Sequence, residues 1–287
     1  MTKSLRIASL ACSFNRREKT ATFLRSLSAQ HIPEGYTLDI YLLDDNSSDG
    51  TAEYVRKNFP SVTVINGNGW LYWAGGMRKV WGEALKNGPY DFYLLLNDDV
   101  TLADNALDKL LEAYHKSPYE ANIILGSVRD AKTGRVTYGG RRITSKINGK
   151  SFKLQPDENE LLECEIGNAN VMLVDNKTVN KIGILSGDYT HSLADFDYTL
   201  TAVKNGIKVW VGHGYYGYCE NDHGVPWLPQ KNSLKKRIKY LYSPTGLAYK
   251  EYITYVRKHF PYSLPEKFLK IWIKTLFPIF YDKFKQV

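Results

Sequence analysis

A chain of 287 residues is long enough for one large or two modest domains, and its 43% hydrophobic and 24% charged residues exclude wholesale disorder and a fibrous repeat. Cys12, Cys164 and Cys219 are far apart and share no ligand spacing, which argues against a disulfide framework or a zinc site and for a reducing compartment. The net charge of +8 belongs to the end of the chain: residues 231–287 hold 13 Lys and Arg against three acids, while residues 1–230 hold 25 against 27.

The first hundred residues alternate strand-like apolar runs with helical patterns. Arg6–Cys12 reads as a buried strand, and Thr22–Ala29 as a helix with Phe23, Leu24 and Leu27 on one face. Leu38–Leu43 is a second strand, Thr51–Asn58 a helix, Val62–Ile65 a third strand, and Ala74–Lys86 a helix ended by Asn87-Gly88. In that helix Met77, Val80, Trp81, Ala84 and Leu85 keep helical spacing. Phe92–Leu96 is a fourth strand, and Ala106–His115 a further helix. This order predicts a mostly parallel α/β sheet covered on both faces, in which ligands sit beyond the carboxyl ends of the strands.

Polar residues just after strands are therefore the first candidates. Asp44-Asp45-Asn46-Ser47-Ser48-Asp49-Gly50-Thr51 follows the second strand, and by itself fits an acidic turn that caps a helix. Asn97-Asp98-Asp99 emerges abruptly from the fourth strand, where adjacent carboxylates repel unless a cation or donor is present. A divalent cation is one such partner, and hard oxygen ligands suit Mg²⁺ or Mn²⁺ holding a diphosphate. Trp70 to Arg78 sets aromatics and Gly75-Gly76 at a helix start, where backbone amides and Arg78 can meet a phosphate, although both tryptophans also fit a core.

Taken in order, Ser13-Phe14-Asn15-Arg16, Asp45 to Thr51, Asn97-Asp98-Asp99 and Ala194-Asp195-Phe196-Asp197 resemble the family 2 glycosyltransferases of the GT-A fold. The resemblance implies an inverting enzyme that moves a sugar from a nucleotide-diphosphate donor, such as a UDP- or dTDP-sugar, to a glycan hydroxyl. It implies a transferase domain over residues 1–230, with a nucleotide-binding half at 1–100 and an acceptor half at 101–230. Carried over by residue, Asp45 contacts the nucleobase, and Ser13, Asn15 and Arg16 line the donor, which Arg78 joins on the strength of its own helix-start position. Asn97, standing where the family has a carboxylate, touches donor sugar or ribose beside Asp98. Asp99 binds Mn²⁺ or Mg²⁺, with His223 near the metal and His213 as its rival. Asp195 is the general base even though Ala194 replaces the first acid of its motif, and Asp188 is the next candidate. A sugar nucleotidyltransferase would need a glycine-rich phosphate loop after the first strand, and residues 13–17 hold no glycine. A non-catalytic carbohydrate-binding or membrane-surface protein is the other alternative.

Residues 231–287 read as a helical tail with 13 aromatics among its 13 basic residues. Such a tail suits either a solvated face or an anionic membrane surface, met through a stripe of Phe268, Trp272 and Phe280. No helix-turn-helix, finger or RNA-recognition signature accompanies the charge, so nucleic acid is not an expected partner. No apolar run nears the ~18 residues of a spanning helix. The expectation is a cytoplasmic protein, peripheral on the inner face of the membrane, whose acceptor is a lipid-linked glycan of a bacterial surface polysaccharide.

Overall fold

The structure, a computed structural model, describes residues 4–220 and 232–279. Its first half runs β1 (Leu5–Ser13), α1 (Arg17–Ser28), β2 (Tyr36–Asp44), α2 (Thr51–Asn58), β3 (Val62–Asn66), α3 (Tyr72–Lys86), β4 (Phe92–Leu96), β5 (Thr101–Leu102), α4 (Ala106–Lys116) and β6 (Asn122–Arg129). Short strands β7 (Val136–Tyr138), β8 (Gly140–Ser145), β9 (Lys150–Lys153), β10 (Leu162–Glu163) and β11 (Ile166–Gly167) follow. The chain then continues through β12 (Val171–Asp175), α5 (Asn176–Ile182), α6 (Ala194–Lys204), β13 (Lys208–Tyr218), α7 (Leu234–Tyr242), α8 (Tyr249–His259) and α9 (Leu264–Leu276).

The main sheet has the order β10-β13-β6-β12-β4-β1-β2-β3. Strands β3, β2, β1 and β4 are mutually parallel, β6 and β13 are parallel, and β12 is antiparallel between β4 and β6. The mostly parallel α/β architecture is as expected. Strand β4 shows how one sequence serves two faces: Tyr93 and Leu95 join the core under α3 and α6, while Phe92, Leu94 and Leu96 join the core under α1 and α4. Helix α3 buries Met77, Val80, Trp81 and Ala84 in the first of these, and Gly76 lets it approach so closely that a Cβ there would lie 2.2 Å from Cys12 Sγ.

Helix α1 begins five residues before the expected Thr22. Its first turn is polar and carries no apolar periodicity, but it is helical because the Arg16 carbonyl accepts the Thr20 amide.

The basic tail has two parts. Helix α8 belongs to the body, with Tyr255, Val256 and the following Phe260 buried in the α3–α6 core. Helix α9 leaves Phe268, Leu269, Ile273 and Leu276 exposed. The expected aromatic stripe is split, because Trp272 turns inward and donates its indole N–H to Tyr249 Oη at 3.2 Å, and Phe280 lies outside the described residues. Among the described residues, no helix is long and apolar enough to cross a membrane.

Candidate active site

Parallel β1, β2 and β4 deliver their C-terminal ends to one edge of the sheet. Because β12 is antiparallel to β4 and pairs Val171 with Leu96, residues 168–170 arrive at that same edge from the other direction. Four of the five non-glycine residues with left-handed backbones among the described residues sit at or near this rim: Asn15 (φ 52°), Asn46 (φ 60°), Tyr72 (φ 53°) and Leu193 (φ 70°). Strain of this kind persists only where surrounding structure enforces it, and it collects at functional sites.

Asp98 and Asp99 emerge at the end of β4. Asp98 is buried, accepts a hydrogen bond from Thr20 Oγ1 at 3.2 Å, and through Thr20 is linked to Ser13 Oγ. Burial pushes its carboxyl up to about 6, against the pull of Arg16. The donor that adjacent carboxylates require is Arg16, whose Nη1 lies 2.9 Å from Asp99 Oδ2 and 3.5 Å from Asp98 Oδ1. The Cys219 thiol approaches Asp99 Oδ1 at 3.6 Å. Asn15 ties this edge to the β2 loop, its Oδ1 accepting the Ser48 amide at 2.7 Å and its amide donating to Ser47 Oγ. A cavity of about 360 Å³ lies beside Arg16, lined by residues 15–19 and Asp49.

Asp45 has a role that its spacing does not reveal. Its Oδ1 accepts the amides of Asn68 and Gly69, and its Oδ2 those of Leu71 and Tyr72, at 2.8–3.2 Å. The lone pairs of the carboxylate are thereby engaged in bracing the turn that presents Trp70 to solvent. Gly67 makes this possible, since a Cβ there would stand 2.3 Å from Asp45 Oδ1.

The opposite side of this edge is built on α3 and α6. Trp73 Nε1 donates to Asn97 Oδ1 at 2.9 Å, and the Asn97 amide donates to Asn170 O at 3.2 Å. The amides of Ala74 and Gly75, at the start of α3, donate to Thr190 O rather than opening to solvent. Arg78, expected at a phosphate, donates Nη1 to the carbonyls of Ser186 and Tyr189 at 2.8 and 2.7 Å. It fixes the segment leading into α6.

Asp195 stands in the first turn of α6, half-buried. Its Oδ1 accepts the Phe196 amide at 2.9 Å, while Oδ2 takes only long contacts from the Ala169 amide at 3.3 Å and Asn168 Nδ2 at 3.4 Å. Burial pushes its carboxyl up to about 6. Asp197, two residues on, is committed elsewhere: it accepts from Tyr189 Oη, Lys258 Nζ and His259 Nε2 at 2.7–2.9 Å. Burial raises Asp197, but those three donors outweigh it and hold the group below the usual carboxylate range. Burial likewise pushes His259 down, against the pull of Asp197, so a neutral imidazole donates to an ionised carboxylate.

His223 lies outside the described residues. His213 is buried on β13 beside Glu112 of α4, at 3.6 Å, and makes no contact with Asp99. Among the described residues, no three His, Cys, Asp or Glu side chains gather as a metal cage. Sequence reasoning missed Asn168, Asn170 and Thr190; the polar residues before the apolar run Val171–Val174 carried a signal that only the antiparallel direction of β12 makes readable.

The profile described as "Glycosyl transferase family 2" matches residues 10–175, more than half of the chain. The chain belongs to glycosyl transferase family 2. Its GT-A fold agrees with solved structures of low identity. S. aureus TarS is 16% identical with a TM-score of 0.56, the match covering 95% of this chain and 48% of that one, so this chain spans about half the length of TarS. TarS 1–349 in complex with UDP is 17% identical at TM-score 0.55, covering 95% and 79% of the two chains. The mannosyltransferase PcManGT from Pyrobaculum calidifontis, in complex with GDP-Man and Mn²⁺, is 14% identical at TM-score 0.54, covering 92% and 73%. No curated protein sequence matches this chain. Family membership sets aside the nucleotidyltransferase reading, and Asp195 lies beyond the matched span.

Proposed function

We propose that this transferase moves a sugar, with inversion, from a UDP- or dTDP-sugar to a hydroxyl of a lipid-linked glycan in bacterial surface polysaccharide synthesis. The observation that carries this reading is one connected network at the strand edge. Asn97 at the end of β4 bonds Asn170, and the neighbouring Ala169 amide bonds Asp195, so donor-side and acceptor-side groups share a frame. An acceptor hydroxyl is a weak nucleophile at neutral pH, and a carboxylate within hydrogen-bond reach removes its proton as the new bond forms. Asp195 suits that task, since one oxygen is held by its own helix and the other makes only long contacts. On the donor side, Arg16 and Asn97 meet the diphosphate and sugar, Ser13 and Asn15 hold the loops that carry them, and Asp45 acts on the nucleobase through the turn it braces.

Adjacent Asp98 and Asp99 fit the way Mg²⁺ or Mn²⁺ is held by one or two carboxylates with substrate phosphates completing the shell. Asp99, the less buried of the two, would be the ligand, and the cation would offset charge on the leaving diphosphate. The tail supports peripheral attachment at the inner face of the cytoplasmic membrane, because Lys267, Lys270 and Lys274 accompany the exposed apolar residues of α9.

The test is a thermal-shift panel of nucleotide-sugars with Mn²⁺, followed by NMR of the product anomer. A donor that raises the melting temperature and yields the inverted anomer is expected. Stabilisation by no nucleotide-sugar, or a retained anomer, would overturn the reading.

A further inference from the structure

The carboxylates of Asp98 and Asp99 and the guanidinium of Arg16 form a group with one movable member. Asp98 is fixed by burial and by Thr20, and the Asp99 side chain is 13% exposed, whereas that of Arg16 is 40% exposed. Arg16 is the residue before α1, so its side chain can swing without disturbing the helix that follows. Arg16 itself lines the 360 Å³ cavity beside it, together with Asn15, Arg17, Glu18, Lys19 and Asp49, which gives its side chain somewhere to go.

A guanidinium and a divalent cation seek the same carboxylate oxygens, and two cations at one carboxylate pair repel each other. We propose that Arg16 is an internal stand-in for the divalent cation. It neutralises the Asp98–Asp99 pair while the site holds no donor. It yields the pair when metal and diphosphate arrive together, and then turns to the phosphate oxygens. This inference rests on the reading of Asp99 as the metal ligand. Its consequence is order: the metal alone binds weakly because it must pull Arg16 off both carboxylates, whereas a diphosphate offers the displaced guanidinium an anionic partner. Metal and nucleotide therefore bind with positive coupling, each raising the affinity of the other by the same factor.

The experiment measures Mn²⁺ binding to the full chain from the EPR signal of the free aqua ion, with and without UDP, dTDP or GDP. Wild type should bind Mn²⁺ weakly alone and about tenfold or more tightly with the accepted nucleotide. Arg16→Gln should bind Mn²⁺ alone about threefold to fivefold more tightly than wild type, the loss of one partly exposed ion pair, and the coupling should shrink by the same factor. Arg17→Gln removes a neighbouring charge that pairs with Glu18 and should change Mn²⁺ affinity less than twofold. Arg16→Lys, which keeps the charge but not the fork, should fall between wild type and Arg16→Gln, and it carries the test if Arg16→Gln does not fold. Mn²⁺ affinity in Arg16→Gln no greater than in Arg17→Gln overturns the inference while leaving the metal reading intact. Equal Mn²⁺ binding by wild type and Asp99→Ala with every nucleotide removes the metal reading itself.

Discussion

Replacing Asp195 by Asn gives a prediction with two readouts that should move in opposite directions. The amide keeps the shape of the side chain and cannot take a proton, so turnover should fall by ~10² to 10⁴ while nucleotide-sugar affinity holds. Burial raises this carboxyl from an ordinary 3.8 to about 6. A carboxylate with a raised native pKa costs stability wherever it is ionised: the cost is complete above about 6 and vanishes below 3.8. A shift of about 2 units corresponds to about 3 kcal/mol, and because the side chain is half-buried and partly solvated, about 1 kcal/mol of it should appear. Asp195→Asn should therefore be about 1 kcal/mol more stable than wild type at pH 7 and equal to it at pH 3.5, by urea denaturation. In wild type, the ionised fraction falls from about 0.91 at pH 7 to about 0.09 at pH 5, so kcat/KM should drop about tenfold over that range. The groups that set this titration are Asn168, the amides of Ala169 and Phe196, and the apolar surroundings that include Tyr255. Wild-type turnover in Asp195→Asn would move the base elsewhere, with Asp188 next. A stability gap that persists at pH 3.5 would refute the burial argument.

Other residues yield sharper single outcomes. Asp99→Ala should abolish Mn²⁺-dependent binding of nucleoside diphosphate by calorimetry, with the metal-free melting temperature within a degree or two of wild type; unchanged affinity would remove Asp99 from the metal. Asp45→Ala releases four backbone amides and should weaken free nucleoside and nucleoside diphosphate alike, whereas a loss confined to the diphosphate would contradict a role at the base. Asp197→Asn takes the charged acceptor from Tyr189, Lys258 and the neutral His259 and should cost about 1–2 kcal/mol in urea denaturation with nucleotide affinity unchanged; a cost under ~0.5 kcal/mol would mean that this cluster is not coupled to the fold. Reversing Lys267, Lys270 and Lys274 to Glu should abolish cosedimentation with anionic vesicles at low salt, and equal sedimentation of wild type with neutral and anionic vesicles would sink the membrane reading.

What could be read from the sequence was set by how locally each feature is encoded. Buried parallel strands appear as apolar runs that stop at polar residues, so Phe92–Leu96 and the carboxylates after it were legible without any knowledge of neighbours. The helix Thr51–Asn58 was legible for the same reason, since Asp49 and Gly50 mark its start. Roles that depend on who approaches from elsewhere were not. Asp45 looks like a ligand-binding carboxylate until the 68–72 turn folds back on it, and Arg78 looks like a phosphate donor until the 186–189 carbonyls reach it. Net charge misdescribed the tail in the same way. Charge averages over faces, and α8 sends Glu251, Lys258 and His259 inward while its neighbour α9 keeps its lysines beside exposed apolar residues.

That inward face of α8 links the tail to the chemistry. Glu251 takes both the amide and the hydroxyl of Thr190, and the Thr190 carbonyl in turn caps the start of α3, where Trp73 holds Asn97. Seven residues further along α8, Lys258 and His259 grip Asp197, two residues from Asp195 in the same helix turn. The segment between these grips contains Leu193, whose left-handed backbone aims the first turn of α6 at the strand edge. A strained residue next to a candidate base keeps its conformation only if both ends of its segment are held. Here α8 holds both ends, so the middle of the basic tail is as much a part of the candidate active-site frame as the strands are.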